Sequence, residues 1–304
     1  MRCQLAQVII FIFATACLLA VQPNADAQTP VPNVQAERSC PLPFASNLGQ
    51  PSDSEVSIAA VIFSGFLQIS ISDQEQIAAS IKQRTYRASL DRVTDEALEV
   101  ARLGWQDRGY FKAQVNGYTT ALASTAVGQR IALSVYVDEG IRYRLGGVTF
   151  THNKAVSNVK VLRALFPIKE GEIFSRKKVA EGLENLRYAY GELGYINFTS
   201  VPDTRFDDER QTISVDVDVD EGRQFYVSRV NVVGLDEQVS EQELKDLLLK
   251  RGDVYNQRLA RLFVEKHAPL LPPGVLTESR IHLRPDERTA TVAVSFDFRS
   301  CPVE

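Results

Sequence analysis

The chain has 304 residues, 44% of them apolar and 24% charged, which is the composition of an ordinary globular protein and room for two or three small domains. A formal charge of −4, with lysines and arginines scattered, argues against nucleic acid, whose phosphates demand a basic stripe. The densest basic group, Arg176-Lys177-Lys178, reads as the solvated start of a helix.

Residues 1–27 read as a signal peptide. Arg2 supplies the positive start, residues 5–21 are almost wholly apolar, and Ala25-Asp26-Ala27 is a small-x-small cleavage pattern that makes Gln28 the first exported residue. The apolar run is interrupted by Gln7 and lies at the short end for a membrane span. A lipoprotein site at Cys17 would leave the apolar residues 18–21 directly beside the lipidated cysteine. No later stretch is long and apolar enough to cross a bilayer as a helix, so membrane contact is expected to be indirect. Of the four cysteines, Cys3 and Cys17 leave with the signal, and Cys40 and Cys301 remain. In an oxidising compartment that pair is expected to be bridged, within one chain or between two.

Residues 28–54, rich in Pro, Gln, Asn, Ser and Ala, show no periodicity and read as an extended linker. Three copies of one pattern follow, at 55–140, 141–222 and 223–301. Each opens on a short apolar strand: Val61-Ile62-Phe63, Val148-Thr149-Phe150 and Val230-Asn231-Val232. Two helical patterns come next. In the middle copy the first covers 156–166 and is broken by Pro167. Gly171-Glu172-Ile173-Phe174 then leads to Ser175, an N-cap candidate for a helix with Val179, Leu183, Leu186, Tyr190 and Leu193 in steps of three and four. Gly194-Tyr195 ends it, as Gly109-Tyr110 ends the helix holding Leu98, Ala101 and Trp105. In the third copy Gly252-Asp253-Val254-Tyr255 mirrors the Gly-x-x-aromatic entry, and a helix with Leu259, Leu262 and Phe263 stops at Pro269.

The closing strands are the clearest elements. Ile131, Leu133, Val135 and Val137 alternate with polar or small residues, as do Ile213 to Val219 and then Val292 to Phe298 in their own copies. Such alternation means one packed face and one wet face. Val137-Asp138-Glu139-Gly140 recurs as Val219-Asp220-Glu221-Gly222, 82 residues on. The fold expected is α+β: three tandem βααββ domains, each a three-stranded sheet covered by two helices.

Catalytic and metal chemistry find no support in the spacing. His152, His267 and His282 fall in different elements. Asp216, Asp218 and Asp220 on a strand line one face about 7 Å apart, whereas a calcium loop folds its oxygens around a point. Asp207 to Arg210 reads as a polar hairpin turn, Gly146-Gly147 as a bulge, and Trp105, Tyr110, Tyr190 and Tyr195 as packing residues. No nucleophile elbow, phosphate loop or dinucleotide fingerprint is present, so no enzyme, cofactor, metal or small-molecule substrate is expected.

The βααββ order, the Gly-x-x-aromatic entry, the Gly-Tyr exit and the terminal Val-Asp-Glu-Gly, recurring in register, resemble POTRA domains, the periplasmic repeats of outer-membrane protein assembly factors. The similarity runs over about residues 55–300 and is closest in the middle copy. Family members usually carry a transmembrane β-barrel after the array; here the sequence stops at Glu304, so a barrel-less binding arm is expected. The resemblance places the second strand of each sheet at an accessible edge, where an extended peptide adds by β-augmentation. It implies candidate edges at 111–121, 196–203 and 277–284, with Ala113, Val115, Gly117, Phe198, Ser200, Arg280 and His282 on them. Pro202 and Pro285 fit edge strands. The implied partners are nascent or unfolded outer-membrane polypeptides, or a separate β-barrel assembly protein, met in the periplasm or at the outer-membrane periphery. The alternative is a structural or cell-division-type envelope protein anchored by its N-terminal segment.

Overall fold

The computed structural model describes residues 55–86, 89–124, 128–271 and 276–299, all within one compact unit. The signal peptide, the linker and the Cys40–Cys301 pairing lie outside the described residues. The first module runs β1 (Glu55–Gly65), α1 (Ile71–Lys82), α2 (Leu90–Gln106), β2 (Gln114–Ser124) and β3 (Gly128–Asp138). The second runs β4 (Arg144–Thr151), α3 (Val159–Ala164), α4 (Arg176–Glu192), β5 (Thr199–Asp207) and β6 (Thr212–Asp220). The third runs β7 (Tyr226–Val233), α5 (Glu237–Asp246), α6 (Gln257–Lys266), two short 3-10 turns, β8 (Ile281–Asp286) and β9 (Thr291–Asp297).

Each sheet has its last strand in the centre, in the orders β1-β3-β2, β4-β6-β5 and β7-β9-β8. The opening strand pairs with the central one in parallel and the middle strand pairs with it antiparallel. Central strands carry the strict alternation: Ile131, Leu133, Val135 and Val137, and Ile213, Val215, Val217 and Val219, are all buried. Every opening strand is irregular at the same place, between Ile58 and Ala60, Leu145 and Gly147, and Val227 and Arg229. The Gly146-Gly147 pair is therefore a bulge, which adds local twist and lets helices cover one face.

The helices form where the caps dictate. The Ser175 hydroxyl accepts the Lys178 N–H and the Asn256 side chain accepts the Leu259 N–H at 3.0 Å. On α4 Val179, Leu186 and Tyr190 are buried, while Leu193, at the C-cap, stays exposed. The helix expected over 156–166 is shorter, because Asn158 caps it by accepting the Lys160 N–H and so starts it at Val159.

A carboxyl group closes each of the first two cores. Glu139, 2% exposed, accepts the Trp105 indole N–H at 2.8 Å and the backbone N–H groups of Gln68 (2.7 Å) and Ile69 (3.3 Å). Glu221 likewise accepts from the Tyr190 hydroxyl at 3.0 Å and the Ala155 N–H at 2.8 Å. The glutamate just past each of these central strands thus ties the second helix to the loop leaving the opening strand. Burial, and then the Glu221 carboxyl beside it, push the Tyr190 phenol well above the ordinary range. The third module substitutes rings: Phe298 stands at the glutamate position and packs edge-on against His267, centroids 5.9 Å apart.

Replacing Glu139 by Leu leaves the Trp105 and Gln68 donors without an acceptor and is expected to destabilise the first module by about 2–3 kcal/mol. Glu139→Gln, which keeps one acceptor oxygen, is expected to cost less. Trp105 is the sole tryptophan of the chain, so its fluorescence during urea unfolding reads this module alone. An unchanged midpoint in Glu139→Leu would contradict the role given to the carboxyl group.

Candidate functional site

Three sheet edges formed by β2, β5 and β8 are the candidate polypeptide-binding sites, and they differ chemically. β2 runs eleven residues without a proline or a charged side chain, and Asn116, Tyr118, Thr120 and the four residues after it are exposed. β5 carries Pro202, Asp203, Arg205 and Asp207 along nine residues, and β8 carries Arg284, Pro285 and Asp286 along six. A proline is accommodated in a paired strand only where its missing donor faces outward, so Pro202 and Pro285 each remove a donor from the free side.

The predicted edge residues distribute unevenly over these strands. Val115 and Gly117 lie on β2, on the face toward the helices, where a side chain at Gly117 would meet Leu98. Ser200 lies on β5 opposite Val219, and His282 on β8 opposite Ser295. Ala113, Phe198 and Arg280 are corrections. Each precedes its strand and is buried, at 4%, 6% and 2% exposure, so none belongs to an edge. Ala113 and Phe198 sit in the tight turns after the Gly-Tyr exits, their N–H groups donating to Tyr110 and Tyr195. Arg280 ends a 3-10 turn and donates from Nη1 to the Arg299 carbonyl at 2.8 Å.

What aims the edges is a joint that occurs twice. At its helix exit Gly109 has φ +94° and Gly194 φ +87°, a region open to glycine. The Gly109 carbonyl accepts the Tyr143 N–H at 2.8 Å, and the Gly194 carbonyl accepts the Phe225 N–H at 2.9 Å. Tyr143 and Phe225 in turn accept from Phe174 and Tyr255, the aromatic residues of the Gly-x-x-aromatic turns. A Cβ on Gly109 would stand 2.8 Å from Ile173, and one on Gly194 2.7 Å from Val254, so exit and entry motifs of adjacent modules are in contact. Phe111 and Ile196, two residues past each glycine, pack against the core of the following module.

The two joints are reinforced on different sides. At the first, Lys112 Nζ lies 2.8 Å from Asp208 and 4.6 Å above the Phe206 ring, and the Tyr143 hydroxyl donates to Asp208 at 2.6 Å. Asp208 belongs to the turn read from sequence as a polar hairpin; only the fold shows it as the anchor of the preceding module. Its hydrogen bonds, first from Lys112 and then from Tyr143, hold its carboxyl below the usual range. At the second, the Asn197 amide meets Glu287, the Asn256 side chain donates to the Glu192 carbonyl at 2.9 Å, and Arg261 lies over the Tyr188 ring at 5.3 Å.

The acidic face of the second sheet is internally occupied. Asp216 pairs with Arg205 and accepts from Thr149; Asp218 accepts from Thr151 at 2.9 Å and pairs with His152. Among the described residues no three His, Cys, Asp or Glu side chains are placed to hold a metal ion, and no helix is long and apolar enough to cross a membrane.

Three tandem modules with this sheet order, these turns and these joints define a repeat array, and it is similar to known proteins. The family model POTRA, described as a surface antigen variable number repeat, matches residues 143–222, the second module. An outer membrane protein assembly factor of Treponema pallidum is 29% identical over 178 residues, 56% of this chain and 21% of that protein. The outer membrane protein assembly factor BamA of Neisseria meningitidis is 24% identical over 200 residues, 62% of this chain and 24% of that protein. The crystal structure of Haemophilus influenzae BamA POTRA3-5 superposes with a TM-score of 0.59 at 18% identity, covering 83% of this chain and 99% of that one. Residues 143–222 thus carry a POTRA match, and the chain has the fold of a three-module POTRA array. It spans between a fifth and a quarter of the length of these two curated relatives.

The Lys112–Asp208 contact sets a pH dependence for the first joint. Because the folded carboxyl is lowered from 3.8, its contribution is complete above that value and is lost as pH falls through the lower, folded one. Relative tumbling of the first two modules, followed by amide relaxation, is therefore expected to stay coupled from neutral pH to about 4 and to loosen below. Lys112→Met is expected to loosen it at neutral pH without moving the urea midpoint of either module. Coupling that is indifferent to both changes would show that the ion pair does not reinforce the joint.

Proposed function

We propose that this chain is a non-enzymatic periplasmic binding module of the outer-membrane protein assembly type, which takes up extended polypeptide segments by strand addition. Nascent or unfolded outer-membrane polypeptides, or an exposed strand of a separate β-barrel assembly protein, are the partners that suit it. The observation that carries this reading is the β2 edge: eleven residues with no proline and no charge, at one side of its sheet. Natural edges are usually protected by prolines, lysines or short length. β5 and β8 have such protection and β2 does not. Backbone pairing reads little sequence, which suits a binder of many different strands.

Tyr118 and Ala121, both exposed on β2, offer a test. The double change Tyr118→Lys and Ala121→Lys adds edge charge without disturbing the core. Affinity for a labelled peptide copied from an outer-membrane strand is expected to fall about tenfold, a loss of about 1.4 kcal/mol. Val201→Lys, at an equally exposed position of β5, is expected to leave it unchanged. Equal losses in both variants, or none in the β2 variant, would remove β2 as the site.

A further inference from the structure

The helix side of the first joint holds a groove that strand addition does not use. It has a volume of about 510 Å³ and runs between α1 and α2 as far as Lys177 on α4 of the next module. Ile77, Val100 and Leu103 form its floor. Gly104 permits this: a Cβ there would stand 2.6 Å from Ile77, so only glycine lets the two helices approach so closely.

Charge on its rim is unbalanced in one direction. Asp73 is paired with Arg108 at 2.7 Å, and hydrogen bonds from Ser70 and Arg108 hold its carboxyl below the usual range. Arg108 is further committed to the Gly104 carbonyl and the Gln76 side chain. Asp107 accepts the Lys177 backbone N–H at 2.6 Å. Arg84 and Lys177, both exposed, line the same groove and form no ion pair among the described residues, so the rim carries three cations against the two carboxylates of Asp73 and Asp107. Arg176 stands beside Lys177 in the first turn of α4, a turn that has no acidic residue. Of the basic triplet Lys178 is paired with Glu172 at 3.3 Å, whereas Arg176 and Lys177 oppose the helix dipole at that end.

The second joint is filled differently. There Gln257 occupies the space beside Gly191, where a Cβ would meet its Oε1 at 2.1 Å, and Arg261 covers Tyr188.

We infer that this groove is a docking site for an acidic amphipathic segment of a partner polypeptide, held between the first two modules. From Asp73 to Lys82 α1 advances about 14 Å, enough to lie along two to three turns of a docked helix. Carboxylates on the flanks of that segment complement Arg84 and Lys177, and one apolar stripe meets the floor. A floor of three side chains is too small to sheath a lipid acyl chain, which favours a polypeptide over an anionic lipid.

The probe is a fourteen-residue peptide with leucines at i and i+4 spacing and glutamates on both flanks. Its lysine-for-glutamate isomer and phosphatidylglycerol vesicles serve as comparisons. Added to the intact chain, the acidic peptide is expected to shift the amide resonances of Ser80, Leu103, Gly104 and Lys177 saturably and to leave β2 unmoved. The lysine isomer is expected to shift none of them. Combining Arg84→Glu with Lys177→Glu is expected to raise the dissociation constant about tenfold, with the Trp105 unfolding midpoint unchanged as the folding control. Shifts confined to β2, affinity unaltered in the double variant, or preferential capture of the vesicles would each overturn the inference. Because its readout is remote from β2, failure here is distinguishable from failure of the strand-addition reading.

Discussion

A main-chain hydrogen bond from the residue just before the opening strand of one module to a left-handed glycine of the module before it organises the array. Gly109 receives Tyr143, and Gly194 receives Phe225. The helix exit is thereby also the anchor of the next opening strand, and the same tyrosine or phenylalanine accepts from the aromatic turn ahead of the second helix. Two residues beyond each glycine, Phe111 or Ile196 is committed to the neighbouring core. Any side chain at these glycines would meet Ile173 or Val254, so conformation and space select the same residue.

That constraint accounts for what the sequence made legible. The period-two strands, the Gly-Tyr exits and the Gly-x-x-aromatic turns are local signals, and they located most of the elements. Their partnership across a module boundary was not local, and nothing in the spacing tied Gly109 to Ile173. The Val-Asp-Glu-Gly motif likewise marked a strand end without disclosing that its glutamate is a buried acceptor. Its companions, Trp105 and Tyr190, lie 34 and 31 residues earlier in sequence. Asp208 looked like one charge among several in a turn, because Lys112 reaches it only through the fold.

The edge residues show where local reading fails. Ala113 and Phe198 precede their strands because the chain needs one more tight turn after the Gly-Tyr exit before it can pair. Pro202 and Pro285 correctly marked edge strands, yet the chemistry that tolerates them there also protects those edges. The signal that separates β2 from its counterparts was in the sequence throughout: an uncharged, proline-free run from Gln114 to Ser124. Recognising it required knowing that all three strands occupy edges.

Two hydrogen-bonded joints and one edge without proline or charge single out β2 as the strand proposed to receive a polypeptide. Amide hydrogen exchange over all three sheets, with and without an outer-membrane strand peptide, tests this most directly. The account predicts new protection at alternate residues along β2, with β5 and β8 unchanged. Protection along β5 or β8, or no change along β2, would contradict it.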